Sequence, residues 1–282
     1  MNKIYFKFHQ VHASPGFYRQ AGMTGVLLLM LLTGSLFAQP KLTLNATFGY
    51  GTPLGDFKTE VPVNERADAD YFPYYTKQLI NFGADGKLAI GKKGNFRVVF
   101  GGTFNMFSNS TDAMFRPDSN SGSTPVTTTF EPKVNILSIA LGGEWAFMPK
   151  EKVNPFVGAG LAANFFSGSF DFGGTSVFVK GEQRTGPMDM KAETRIGIYF
   201  DGGVDFMLSE HVGAIIGLRY HLINPIGKGS DVEEEIGPNE IDLGDKEHTE
   251  DGVTFPTRSI SSFNGYVGVS FYFGAPKKKM NK

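Results

Sequence analysis

The sequence predicts an all-β chain closed into an antiparallel transmembrane β-barrel of about eight strands in meander order. Three observations predict it. The chain opens with an export signal. Eight later segments alternate with period two and keep their charges on one phase. The connections between those segments alternate long and short.

Bulk composition does not mark a membrane protein: of 282 residues, 20% are charged and 41% hydrophobic. Gly 36 and Phe 27 stand out, as turns and apolar rings require. Cys 0 removes disulfides, thiolate metal ligands and cysteine nucleophiles. Lys3, Lys7 and Arg19 are the only charges before the apolar run Val26 to Leu32. Small residues follow, ending at Ala38 and Gln39, which reads as a signal peptide over 1–38 cut after Ala38. Leu36 departs from the usual small residue at its position. The run is shorter than the ~20 residues a helical span needs. No later apolar run approaches that length, so any span beyond the signal is made of strands. Acids outnumber bases after the signal, and nothing points to nucleic acid.

The alternation places strands over Lys41–Gly51, Gln78–Ile90, Asn95–Phe107, Pro132–Phe147, Val153–Phe166, Ala192–Leu208, Val212–Leu222 and Ser259–Phe273. Most exceed the ~5–6 residues of a soluble strand. The connections run long, short, long, short, long, short, long. A membrane barrel with both termini periplasmic needs that order, short turns inside and long loops outside.

Facing follows from the apolar phase. Leu42, Leu44, Phe48 and Tyr50 share one side of the first strand, and Leu137, Ile139, Leu141 and Trp145 one side of the fourth. Asp85, Lys87, Arg97, Glu144, Arg195, Asp201, Asp205 and Arg219 all fall on the opposite phase. A soluble sandwich would alternate in the same way. The signal, the strand lengths and the aromatics at segment ends (Trp145, Phe147, Tyr220, Phe271, Phe273) favour the membrane. The facing predicts that Arg at Ile216 impairs assembly and that Arg at Gly217 is milder. The fifth strand is weaker, with many small residues and Phe156 on the inward phase.

The last strand reads Tyr266-Val267-Gly268-Val269-Ser270-Phe271-Tyr272-Phe273. It resembles the C-terminal barrel-assembly signal of outer-membrane barrels, carried by Tyr266, Gly268, Phe271 and Phe273. The whole mature region, 39–273, resembles the small eight-stranded outer-membrane barrels, OmpA-like and OmpX-like. Its Ala38-Gln39 junction is similar to signal cleavage sites of Bacteroidetes. The resemblance implies the outer membrane, contact with its lipid and lipopolysaccharide, and recognition by the barrel-insertion machinery. Two departures are a short basic tail, 274–282, and the lack of a peptidoglycan-binding domain.

The eight inward charges balance in sign and are expected to form a closed lumen network, since an unpaired buried charge is costly. The alternative is a narrow pore. His221, at the outer end of the seventh strand, is the one histidine placed for a lipid-modifying enzyme, and no motif ties it to a nucleophile. The acidic stretch 231–251 is read as a solvated loop rather than a Ca²⁺ or Mg²⁺ site. The third outer loop reads as a hairpin of 169–172 with 175–179 around Gly173-Gly174, either a self-paired extension of the barrel wall, the favoured reading, or an exposed aromatic edge. No cofactor or metal is expected, and enzyme activity is expected only on the least favoured alternative, a lipid-modifying outer-membrane enzyme centred on His221. The leading reading is a structural or surface-interaction protein whose outer loops meet a ligand or partner protein. A pore or an accessory barrel of a secretion system is the alternative.

Overall fold

The computed structural model describes residues 42–58, 74–91, 93–115, 124, 126–179, 182–229, 239–250 and 253–274. The segment 1–38 read as a signal peptide and the tail beyond Gly274 lie outside them. Among the described residues every regular element is a strand. Eight build the barrel: β1 (Leu42–Gly55), β2 (Gln78–Ile90), β3 (Phe96–Ser108), β4 (Val126–Ala146), β5 (Val153–Asp171), β6 (Met188–Met207), β7 (Val212–Ile226) and β8 (Ile260–Phe273). Each pairs antiparallel with the next. β8 returns to β1 from Leu42↔Phe273 to Gly55↔Ile260, which closes the ring and leaves no edge within the bilayer.

Side chains of the apolar phase stand outward and uncovered: Phe100 is 61% exposed, Leu141 59% and Leu218 55%. A continuous apolar belt of this kind is stable only against lipid. The inward phase is buried, and Lys87, Glu144 and Asp205 are each under a tenth exposed.

The two faces exchange character at one height. In β4, Leu137, Ile139, Leu141 and Trp145 point out, while Ser138 and Glu144 point in. One step further out the rule inverts: Phe130, Val134 and Ile136 are buried, and Lys133 is exposed. The same happens in β5, where Phe166 and Phe170 are buried beyond Asn164. This is what a barrel needs on leaving hydrocarbon for water, apolar outside below the rim and apolar inside above it.

The strands therefore run further outward than the alternation alone places them. β1 continues to Gly55, β4 starts at Val126, β5 reaches Asp171, β6 starts at Met188 and β7 reaches Ile226. Above the rim, the short strand Thr111–Phe115 pairs with Val126–Phe130, and Glu240–Ile241 runs parallel to Asp189–Met190. The third loop in part extends the barrel wall, as the favoured reading has it, but not as a hairpin of 169–172 with 175–179. Ser169 to Asp171 pair with Glu131 to Lys133, and Ser176–Val179 pair with Glu182–Thr185. Phe170 and Phe172 are fully buried rather than displayed on an edge, because packing in the outer core removes them from water.

The lumen wall is carved by glycines over which large side chains lie. A Cβ on Gly160 would come within 2.6 Å of Tyr199 Cε1, and one on Gly217 within 2.4 Å of Tyr266 Cζ. This overturns the expected mildness of Arg at Gly217. The position is inward, as expected, and it is already occupied by the Tyr266 ring.

Candidate functional site

The interior is stacked in layers. At the periplasmic end, Lys87 Nζ lies 2.7 Å from Glu144 Oε2 and 3.6 Å from Asp205 Oδ1. Arg97 pairs with Glu144 and reaches Asp205 Oδ2 at 2.8 Å. Asn154 donates to Asp205, and Lys87 Nζ sits 4.0 Å above the Phe156 ring. Two cations and two anions close on one another, which limits the desolvation cost of burying them. Phe156, inward as the alternation implied, floors this group.

In the next layer Arg219 donates to Asp201 at 2.9 Å, flanked by the rings of Tyr199 and Tyr266. Asn45 donates to Asp85 at 2.7 Å. Above lies a small polar cavity with Thr103, Asn105, Ser138, Arg219, His221 and Asn264 in its wall. His221 is buried, its Nε2 3.5 Å from Asn164 Nδ2. It faces the lumen below the outer core.

The third layer is aromatic and apolar. Phe57, Tyr74, Phe107, Phe115, Phe130, Phe166, Phe170 and Phe172 pack with Leu79, Val134, Ile136, Ile223 and Ile260. Phe130 lies 5.3 Å from Phe172 in a tilted pair and 5.5 Å from Phe115 edge-on, and stacks on Phe170 at 6.3 Å. Aromatic pairs at these separations add to burial. This cluster fills the outer mouth.

The fourth layer is a strap, residues 239–246. Ile241 and Leu243 are buried in the aromatic cluster. Asp245, fully buried, accepts from Arg195 Nε at 3.0 Å, Arg195 NH2 at 2.9 Å, Asn224 Nδ2 at 2.7 Å and the Gly229 amide at 2.9 Å. Arg195 also pairs with Glu193, whose other oxygen accepts from the Leu243 amide at 2.7 Å. Tyr74 donates to the Leu243 carbonyl. Burial pushes the Tyr74 hydroxyl well above its ordinary range; Arg258 opposes the rise, and Asp245 and Glu193 add to it. Tyr74 therefore stays a donor throughout the physiological range.

Seven of the eight charges named from the sequence line the lumen in the first two layers. Arg195 does not meet them; it serves the strap. Asp245, Glu193, Asn224 and Arg258 were missed. The acidic loop is also corrected in part: Asp242 and Asp245 are buried rather than solvated, because the strap folds down onto the mouth. Residues 231–238 of that loop lie outside the described residues. Among the described residues no three His, Cys, Asp or Glu side chains are grouped to hold a metal ion. Of the terminal-strand residues, Tyr266 points inward, Phe271 and Phe273 stand outward at the periplasmic end, and Gly268 packs against the backbone of Ala46.

A closed ring of eight strands with exposed apolar side chains outside and paired charges buried inside suits a lipid bilayer. The chain is an eight-stranded β-barrel of the outer-membrane type.

Solved structures with this architecture include Neisserial surface protein A, at 13% identity over 82% of this chain and 97% of that one, TM-score 0.44. The Pseudomonas aeruginosa outer membrane protein OprG matches at 11% identity over 84% and 98%, TM-score 0.40. Ail, the attachment invasion locus protein of Yersinia pestis, matches at 10% over 83% and 99%, TM-score 0.38. Likeness at this level says nothing about ligand or activity. No protein-family model matches the barrel chain, and no curated protein matches it.

Proposed function

We propose that this protein is a non-conducting outer-membrane barrel that holds a rigid platform above the cell surface for contact with a ligand or partner protein. The observation that carries this reading is the aromatic cluster in the outer mouth, with the charged tetrad at the other end. A pore needs a continuous wet path. Here the periplasmic layer is ion-paired, and the outer layer is packed with rings.

The platform is structured. Phe57, Tyr74, Phe115 and Phe172, from four segments above the rim, share one core, so the outer surface is held by tertiary packing. Surface recognition from loops on a rigid scaffold is a common use of such barrels. On this reading the segment 1–38 is a signal peptide removed near Ala38. Tyr266, Gly268, Phe271 and Phe273 present the assembly signal to the barrel-insertion machinery. The belt meets lipid, and at the outer leaflet lipopolysaccharide. The tail 274–282 stays in the periplasm.

Planar-bilayer recording of the refolded barrel tests the reading. The closed platform gives no stable open level. A steady unitary conductance would return the pore alternative.

A further inference from the structure

The strap 239–246 lies over the outer mouth, held by a charged catch near its C-terminal end together with a few backbone hydrogen bonds. Its ladder to the barrel is two residues long, Glu240↔Asp189 and Ile241↔Met190. Within it, next to Asp245, Gly244 has left-handed backbone (φ 47). Ile241 and Leu243 seat it on the aromatic cluster, and Glu193 and Tyr74 bond the Leu243 backbone, but its charged anchor is Asp245. The carboxylate gathers Arg195, Asn224 and the Gly229 amide, while its own amide and carbonyl bond Gly229 and Arg258. A buried ion pair contributes little net stability against an apolar replacement, yet it is specific and fails as a unit when one partner leaves. That is the property of a catch. The apolar residues beneath it, by contrast, have no off state.

We infer that residues 239–246 are a hinged lid over the lumen and that the Asp245–Arg195 pair is its release. Removing the pair's charge lifts Ile241 and Leu243 from the mouth and opens the space above Met190 to the medium. The inference rests on the closed-barrel reading and adds that the outer closure is conditional. Any agent that competes for the Asp245 carboxylate or for the Arg195 guanidinium drives the same opening.

The absence of cysteine from the sequence makes the test clean. Met190→Cys puts one thiol beneath the strap, at a position 5% exposed and opposite Ile241. Lys133→Cys puts one in the open, as a control for reagent access. The full-length protein is expressed in cells and labelled from outside with a small charged methanethiosulfonate. With the native catch, the Met190→Cys thiol should react at least tenfold more slowly than the Lys133→Cys thiol. Adding Asp245→Asn should bring the two within about threefold, and Arg195→Gln should do the same. Replacing both partners by apolar residues, Arg195→Met with Asp245→Leu, should restore slow labelling. Unheated gel mobility checks that each barrel is assembled, and Asn224→Ala, which removes one donor, serves if a catch variant fails to assemble. Slow labelling in every assembled catch variant would overturn the lid. Fast labelling with the native catch would instead overturn the closed-barrel reading beneath it.

Discussion

Lys87 and Glu144 stand on β2 and β4, two strands apart in the ring, and meet at 2.7 Å inside the periplasmic end of the lumen, both almost wholly buried. Neither has water to fall back on. Glu144→Gln leaves Lys87 and Arg97 to share Asp205, and removing one partner of a buried pair costs about 3–5 kcal/mol. The urea midpoint of the detergent-refolded barrel should fall accordingly. Glu144→Gln combined with Lys87→Met should recover most of the loss. A single variant as stable as the parent would mean the tetrad is hydrated rather than closed.

Gly217 and Tyr266 make a second interlock. Because a Cβ on Gly217 would meet the Tyr266 ring, Gly217→Val should lower the heat-modifiable, assembled fraction. Tyr266→Ala in the same chain should relieve it. An assembled fraction for Gly217→Val equal to the parent's would show that the ring lies elsewhere.

The belt predicts a dependence on depth along one face of one strand. Leu141 and Asn135 both point outward from β4, Leu141 within the apolar belt and Asn135 at the rim. Leu141→Arg should cost about 2–4 kcal/mol of folding stability in vesicles, and Asn135→Arg about 0–1 kcal/mol. Equal penalties would place the bilayer at the wrong height.

Phe130 anchors the outer core, fully buried and in contact with Tyr75, Phe115, Phe170 and Phe172. Phe130→Ala should remove about 3–5 kcal/mol of packing. The loss should be local. Hydrogen exchange should quicken in Thr111–Phe115 and Val126–Phe130, while amides of β1 and β8 below the rim stay protected. Uniform loss of protection would show the two halves to be one cooperative unit.

The barrel was legible because lipid and lumen impose a strict period of two. Leu42 to Tyr50 and Leu137 to Trp145 announce their faces without help from any partner. The outer core was written in the same strands and overlooked. Phe130, Val134 and Ile136 hold one phase and Leu137, Ile139 and Leu141 the other, and that slip of phase is the rim of the membrane. Reading each strand in a single phase discarded it. The catch had no local sign. Asp245 and Arg195 are 50 residues apart, and an acidic residue in an acidic stretch looks solvated until the fold brings it to its guanidinium. Ile241 and Leu243, two apolar residues alternating among acids, were the one hint that the loop comes down onto something.

The most direct test of the membrane assignment uses the native chain. Trp145 is its single tryptophan, 50% exposed and pointing outward near the periplasmic end of β4. The protein is refolded into vesicles whose lipids carry bromine at defined depths, and tryptophan emission is read. Blue-shifted emission is expected, quenched most by bromine near the headgroup end of the acyl chain and little by aqueous iodide, as an interfacial girdle residue requires. Emission indifferent to bromine at every depth and quenched freely by iodide would mean that Trp145 faces water, and the barrel would not be a membrane protein.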